Sequence, residues 1–318
     1  MTIRIAAVLL LFAALAAAPA FVPPFEVRVL SLFCFWGALS LAWSILGGFA
    51  GYWSFGHTVF IGVGAFVPGL IVARLLDGGG AELMPLMVLA GGLVSAAFAA
   101  VIAWPLLRLR GIYFAIAMLG VAQVTGELSA AIEWIGGGIG LSLPDAAPAA
   151  LAPEAFYHYV FVGLLALTVG VAAWVRGARF GQGLLAIRED EDTARMLAVP
   201  TEGYKIAALV LSAFLTGLLG ATYGFSLGYI TTDSVFRTDF SLNMIVHALL
   251  GGIGTVAGPL LGAAVMVVLT QVVLGEMLNL HLFATGALVV AMVLLAPQGL
   301  LGLWRRRARR GADGRPRP

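Results

Sequence analysis

Leu83-Met-Pro-Leu-Met-Val-Leu-Ala-Gly-Gly-Leu-Val-Ser-Ala-Ala-Phe-Ala-Ala-Val-Ile-Ala-Trp-Pro-Leu-Leu107 runs for twenty-five residues without a charge. A helix rises about 1.5 Å per residue, so this stretch is long enough to cross the ~30 Å hydrocarbon layer of a bilayer. Similar runs occur on both sides of it. They predict spans at 5–22, 29–47, 58–76, 112–132, 155–175, 205–228, 242–256, 259–275 and 279–297. The fold class is therefore all-α, a polytopic membrane protein with about ten transmembrane helices. Composition agrees: 61% of the 318 residues are hydrophobic and 11% are charged. Soluble domains average about 45–50% and about 25%. So little polar surface could not cover a particle in water.

Two spans need separate treatment. Arg4, the apolar run Ile5 to Ala17 and then Ala-Ala-Pro-Ala are signal-like, and a polytopic protein needs no cleavable signal. Residues 1–22 are expected to be a first span or an uncleaved signal-like segment. Leu242 to Val256 is short for a full crossing and could enter and return.

Lysine and arginine set the orientation, because basic residues concentrate in cytoplasmic loops. With the N-terminus inside, fifteen of the 18 basic residues fall on the inner side, including seven arginines between Arg305 and Arg317. Arg28, Arg74 and Arg237 remain outside. The loop 176–204 and the tail 305–318 must then both be inside. An even number of crossings must separate them, which requires 242–256 to complete a crossing. Residues 23–304 form one transmembrane domain with no room for a separate catalytic domain. The single cysteine, Cys34, excludes an intrachain disulfide.

Motifs for catalysis are missing. The sequence has no G-x-x-x-x-G-K-[ST] phosphate loop, and its one lysine, Lys205, stands in Glu-Gly-Tyr-Lys. No His/Cys cluster has metal-ligand spacing, and no nucleophile elbow is present. No cofactor, metal or nucleic acid is expected, and the chain is not expected to be an enzyme.

Four stretches carry polar chemistry. Gly47-Gly-Phe-Ala-Gly51-Tyr-Trp-Ser-Phe-Gly56-His-Thr-Val-Phe-Ile-Gly62-Val-Gly64 holds six glycines, one serine and one histidine in eighteen residues. It is either a broken helix with Tyr52, Ser54, Gly56 and His57 along a solute path, or close small-residue packing. Arg108-Leu-Arg110-Gly-Ile-Tyr113 opens a span that also contains Gln123, Thr125 and Glu127. Glu127 is an intramembrane acid or a side chain reaching water at the outer end. Residues 184–198 read as a short amphipathic helix stopped by Pro200, with the charge run Arg188, Glu189, Asp190, Glu191 and Asp192. That helix suits docking onto a cytosolic partner, and a solvated loop would look the same. Gly251-Gly-Ile-Gly-Thr-Val-Ala-Gly-Pro259 is a tight turn on the inner side. It is a hinge or docking surface, or only a turn.

In this order, Gly51-x-x-Ser54-x-Gly56-His57, Leu107-Arg-Leu-Arg-Gly-x-Tyr113, Ala186-Ile-Arg-Glu-Asp-Glu191 and Gly251-Gly-x-Gly-Thr-x-x-Gly-Pro259 resemble permease subunits of branched-chain amino acid ABC importers, of the LivM type. Ala296-Pro-Gln-Gly299-Leu, followed by arginines, fits as well. The resemblance spans Gly47 to Trp304. It departs at Ala198, where relatives often have glycine, and slightly at Phe55.

The resemblance implies an ABC importer permease fold in the bacterial inner membrane, with both termini cytoplasmic. It implies a second homologous permease of the LivH type, two cytosolic ATP-binding subunits and a periplasmic amino-acid-binding protein. It assigns ATPase coupling to Arg188, Glu189, Asp190, Glu191 and Asp192. It places Tyr52, Ser54, Gly56 and His57 in the substrate pathway, and Tyr113 and Thr125 are expected there too. The alternatives are a related permease for urea, short amides or aromatic acids, a stand-alone channel or secondary transporter, and an assembly protein that transports nothing.

Overall fold

Proline stands in the first turn of several long helices, where its missing N–H costs nothing. Pro24, Pro85 and Pro153 occupy this place. The structure is a computed structural model, and it describes residues 2–76, 79–273, 286 and 299–302. All but residue 286 of the expected span 279–297, and the whole basic tail 305–318, lie outside those residues.

Helix α1 is Thr2–Ala17. Helix α2, Pro24–Ser44, continues into a π-helical turn, Ile45–Phe49. Then come α3 (Thr58–Leu75), α4 (Met84–Leu106), α5 (Ile112–Ala131) and α6 (Pro153–Gly177). Two short helices, α7 (Arg179–Glu189) and α8 (Glu191–Met196), precede α9 (Thr201–Leu227). The chain goes on through α10 (Thr232–Val235), α11 (Thr238–Gly251) and α12 (Ala257–Val267). Among the described residues, six helices are long and apolar enough to cross a membrane, and shorter apolar helices accompany them. The one sheet among them is a two-residue antiparallel pair, β1 (Leu141–Ser142) with β2 (Tyr229–Ile230).

Lipid tails are as apolar as leucine, so membrane helices associate by close packing more than by leaving water. The centre of the bundle shows this. Gly64 of α3 lies against the Gly217 backbone of α9, where a Cβ would stand 2.3 Å from the Gly217 carbonyl oxygen. Gly91 of α4 backs onto the Gly64 carbonyl, at 2.6 Å for the same hypothetical atom. Gly220 meets Ile61 in the same way. Helices α3, α4 and α9 thus touch backbone to backbone along a seam of small residues.

Two irregular segments are partly buried inside the bundle. Between the π turn and α3 the chain is irregular and climbs past α5, with Gly56 against the Met118 carbonyl. Helix α3 therefore starts within protein, and its first-turn Thr58 N–H donates to Ser241 Oγ at 2.8 Å. The second irregular segment precedes α11. The chain between β2 and α11 dips inward, held by reciprocal bonds of Thr231 and Ser234 and by Thr58 Oγ1 donating to the Val235 carbonyl at 3.3 Å. Irregular backbone is tolerated at membrane depth only when its polar groups are satisfied this way.

The element at the short span expected at 242–256 is helix α11, which has 14 residues, about 21 Å, and follows directly on this partly buried irregular segment. Helix limits elsewhere shift by a few residues from expectation. One element differs in kind: the single helix expected at 184–198 is two helices. Asp190 is extended, at φ −161° and ψ 117°, and its Oδ1 accepts the Thr193 N–H at 2.6 Å. The side chain caps a new helix at the point where it ends the previous one.

Candidate functional site

The charged run 188–192 sits at the end of the bundle that carries the loop 176–204, called the loop end below. Helix α7 is pressed against the bundle by two glycines. A Cβ on Gly181 would stand 1.9 Å from the Val175 carbonyl oxygen, and one on Gly183 would meet the Tyr204 ring at 2.3 Å. Leu184 and Ile187 are buried beneath it.

Arg188 is an exposed residue whose guanidinium reaches back to the bundle. Its Nη1 donates to the Gly48 carbonyl in the π turn at 2.8 Å. Two further glycines make room for it. A Cβ on Gly51 would stand 3.1 Å from Arg188 Cγ, and one on Gly254 would stand 2.3 Å from Nη1. Both glycines also hold positive φ, 77° and 79°, where a side chain is strained. Gly299, at φ 70°, packs on Gly252 in the same turn. The glycine stretch at 47–56 and the turn at 251–258 therefore meet around one arginine, with Gly299 packed on that turn.

Glu191 points inward. It accepts from Lys205 Nζ at 2.7 Å and from the Tyr52 hydroxyl. Arg195 Nη2 lies 3.4 Å away and Arg110 Nε 3.8 Å. Lys205 is buried and uses all three of its protons. Besides Glu191 it donates to Tyr52 Oη at 3.0 Å and to the Leu107 carbonyl at 3.1 Å. A buried charge is tolerable when it is paired and every proton has a partner, and that holds here. Burial pushes the Glu191 carboxyl up, but the hydrogen bonds from Lys205 and Tyr52 outweigh it and hold the group below the ordinary carboxylate range. Burial, with the Glu191 carboxylate next to it, raises the Tyr52 phenol.

The other acids of the run face outward. Asp192 takes a two-pronged contact from Arg110, Nη1 to Oδ2 at 3.0 Å and Nη2 to Oδ1 at 2.9 Å, at an exposed position. That contact lowers the Asp192 carboxyl. Glu189 and Asp190 are exposed. Met196 and Leu197 follow, with 78% and 72% of their surface accessible. Ala198 next to them is the one described non-glycine residue at positive φ, 61°. It stands where glycine was the expected residue.

The residues expected along a solute path separate into two groups. Ser54 and His57 are fully buried in the first irregular segment. The Ser54 carbonyl accepts from Trp43 Nε1 at 2.9 Å, and His57 Nε2 lies 2.7 Å from Ser212 Oγ. Gly56 has no space for a side chain. Ser54 Oγ and His57 Nδ1 are buried with no hydrogen-bond partner among the described residues, and Tyr52 belongs to the Lys205 network. Tyr113, by contrast, is 70% exposed on α5. Thr125 is half-buried, its hydroxyl turned back to the Val121 carbonyl. Sequence reasoning passed over Lys205, although a sole lysine at the start of an apolar span was a visible signal.

Comparison with known proteins gives the family of the chain. The family model described as "Branched-chain amino acid transport system / permease component" matches residues 26–296. The LivM high-affinity branched-chain amino acid transport permease protein of Salmonella typhimurium (strain LT2) is 27% identical over 296 residues, covering 84% of this chain and 68% of that protein. LivM of Escherichia coli (strain K12) is 26% identical over 294 residues, with the same coverage of both chains. LivH of the same Salmonella strain is 23% identical over 293 residues, covering 83% of this chain and 90% of that one. No solved structure matches. With multiple apolar crossings, a loop-end ionic cluster built from the dispersed motifs, and a family match across most of its length, the chain belongs to the permease component family of branched-chain amino acid transport systems.

Proposed function

We propose that this permease subunit forms one of two homologous halves of the membrane pathway of an ABC importer for branched-chain amino acids. Separate cytosolic ATPases drive it through the loop 176–204. The carrying observation is the convergence of Gly48, Gly51, Gly254, Arg110 and Lys205 on Arg188 and Glu191. A subunit that is moved by an outside engine needs an external contact face and an internal linkage. The outward Glu189, Asp190 and Asp192, with the exposed Met196 and Leu197, supply the first. Arg188 and Glu191 supply the second, joining the loop to the π turn after α2, the start of α5, the start of α9 and the turn after α11.

The placement of the basic residues supports a cytosolic loop end, with both termini inside and the other end facing a periplasmic amino-acid-binding protein. LivM and LivH from one Salmonella strain match almost the same share of this chain, which supports a pair of related halves. The exposure of Tyr113 supports a solute path along that face of α5, while Thr125, half-buried with its hydroxyl on the Val121 carbonyl, lies off that face.

The test replaces Met196 and Leu197 with serine in the assembled complex. Solute-stimulated ATP hydrolysis and uptake should fall by about tenfold or more, as when apolar anchors leave an interface, while the melting temperature of the permease stays put. Wild-type coupling in that variant would refute the docking face. Uptake of urea, short amides or aromatic acids in place of branched-chain amino acids would change the solute class and leave the coupling intact.

A further inference from the structure

The exposed faces of the spans are not alike. On α4 the accessible large side chains are Leu86, Leu89, Leu93, Val94, Val101 and Trp104, a surface suited to lipid. On α5 the exposed face carries Tyr113, Gly120, Gln123 and Glu127 interspersed with the exposed Ile112, Ile116, Val124 and Leu128. These positions recur every three or four residues and form one continuous stripe along the helix. Gln123 lies eleven residues from Ile112 and eight from Ala131, about 16 Å and 12 Å along the axis. An amide at that depth cannot reach either surface, and hydrocarbon offers it no partner. Glu127 is one turn nearer the outer end. Gly120, one turn the other way, leaves open space, because a Cβ there would meet nothing within 4 Å.

Water or a second protein surface would satisfy an amide and a carboxylate placed at this depth. The occupant that fits is the homologous permease half, across a solute-wide gap. We infer that Gln123 and Glu127 read the zwitterionic head group of the transported amino acid at that gap, Glu127 pairing with the ammonium and the Gln123 amide donating to the carboxylate. Side chains four apart on a helix have Cβ atoms about 5–6 Å apart, a span that an α-amino acid head group can bridge. Ile116, Val124 and the hollow at Gly120 receive the alkyl chain. This assignment rests on the two-halved importer proposed above.

Cys34 is fully buried and is the only native thiol, so introduced cysteines report cleanly. In the assembled importer, Gln123→Cys should react with a charged, membrane-impermeant thiol reagent, and saturating leucine should slow the reaction. Leu93→Cys, on the lipid face of α4, should stay unreactive. Glu127→Gln should raise the KM for leucine uptake by about tenfold, the scale of one lost charged hydrogen bond, with the affinity of the binding protein measured separately and unchanged. The same variant should lose its preference for leucine over the des-amino acid 4-methylpentanoate. An unreactive Gln123→Cys in a complex that still transports, or a Glu127→Gln variant with wild-type KM and preference, overturns the assignment. Failure of the wild-type chain to assemble or to transport any amino acid would instead overturn the importer reading beneath it.

Discussion

Glu191 and Asp192 are neighbours in sequence and opposites in setting. The Glu191 side chain is 9% exposed and its partner Lys205 3%, whereas Asp192 is 65% exposed and Arg110 51%. The helix break at Asp190 creates this difference, because it turns α8 so that its first residue points into the bundle and its second points away. A charge run that reads as uniform in sequence therefore divides into an anchor and a contact surface. The anchor should govern folding, and the surface should govern traffic with whatever lies outside.

Lys205→Met strikes the anchor hardest. It leaves Glu191 buried without its main partner and should cost about 3 kcal/mol, the lower end for a broken buried pair, because Arg195 and Arg110 stay near. Thermal unfolding in detergent reads this. The double change Lys205→Met with Glu191→Gln should recover much of the loss, and an unaltered melting temperature in the single variant would dissolve the distinction. Acid acts on the same pair. A carboxylate whose folded pKa is depressed contributes stability that is fully present above its ordinary value of 4.5 and is lost as pH falls through the lower folded value. The melting temperature should thus drop below about pH 4.5, and Glu191→Gln should flatten that part of the curve. The smallest effect belongs to the surface. Asp192→Asn should move the melting temperature by no more than about 2 °C, as for an exposed ion pair that water and salt already screen. A shift as large as that of Lys205→Met would erase the contrast with Glu191.

The crossings were legible because hydrocarbon permits only long apolar helices, and that requirement is written locally in each stretch. Even the short 242–256 segment was constrained by charge parity. The breaks were less legible. Whether the glycines between Gly47 and Gly64 bend the chain or admit a neighbour depends on what stands opposite, here the Met118 carbonyl and Gly217. Five consecutive residues bearing charged side chains at 188–192 give no local sign of which will turn inward. That depends on the glycines at 48, 51 and 254, which lie far away in sequence and near in space. Ser54 and His57 looked like solute contacts because polar residues in a span suggest a path. Both are buried, and Ser54 Oγ and His57 Nδ1 have no hydrogen-bond partner among the described residues; α5 carries a second set of polar positions, whose Gln123 and Glu127 were visible in the sequence but whose shared exposure was not.

The seam among α3, α4 and α9 has a mechanical consequence. Gly64, Gly91, Gly217 and Gly220 each lie against a backbone carbonyl of a neighbouring helix, with only the small Ser95 and Ala221 side chains beside them, so sliding one helix past another by a single residue would drive a Cβ into a carbonyl. The three rods cannot slip, and together they behave as a stiff lever. Lys205, near the start of α9, joins that unit to the ionic cluster at the loop end.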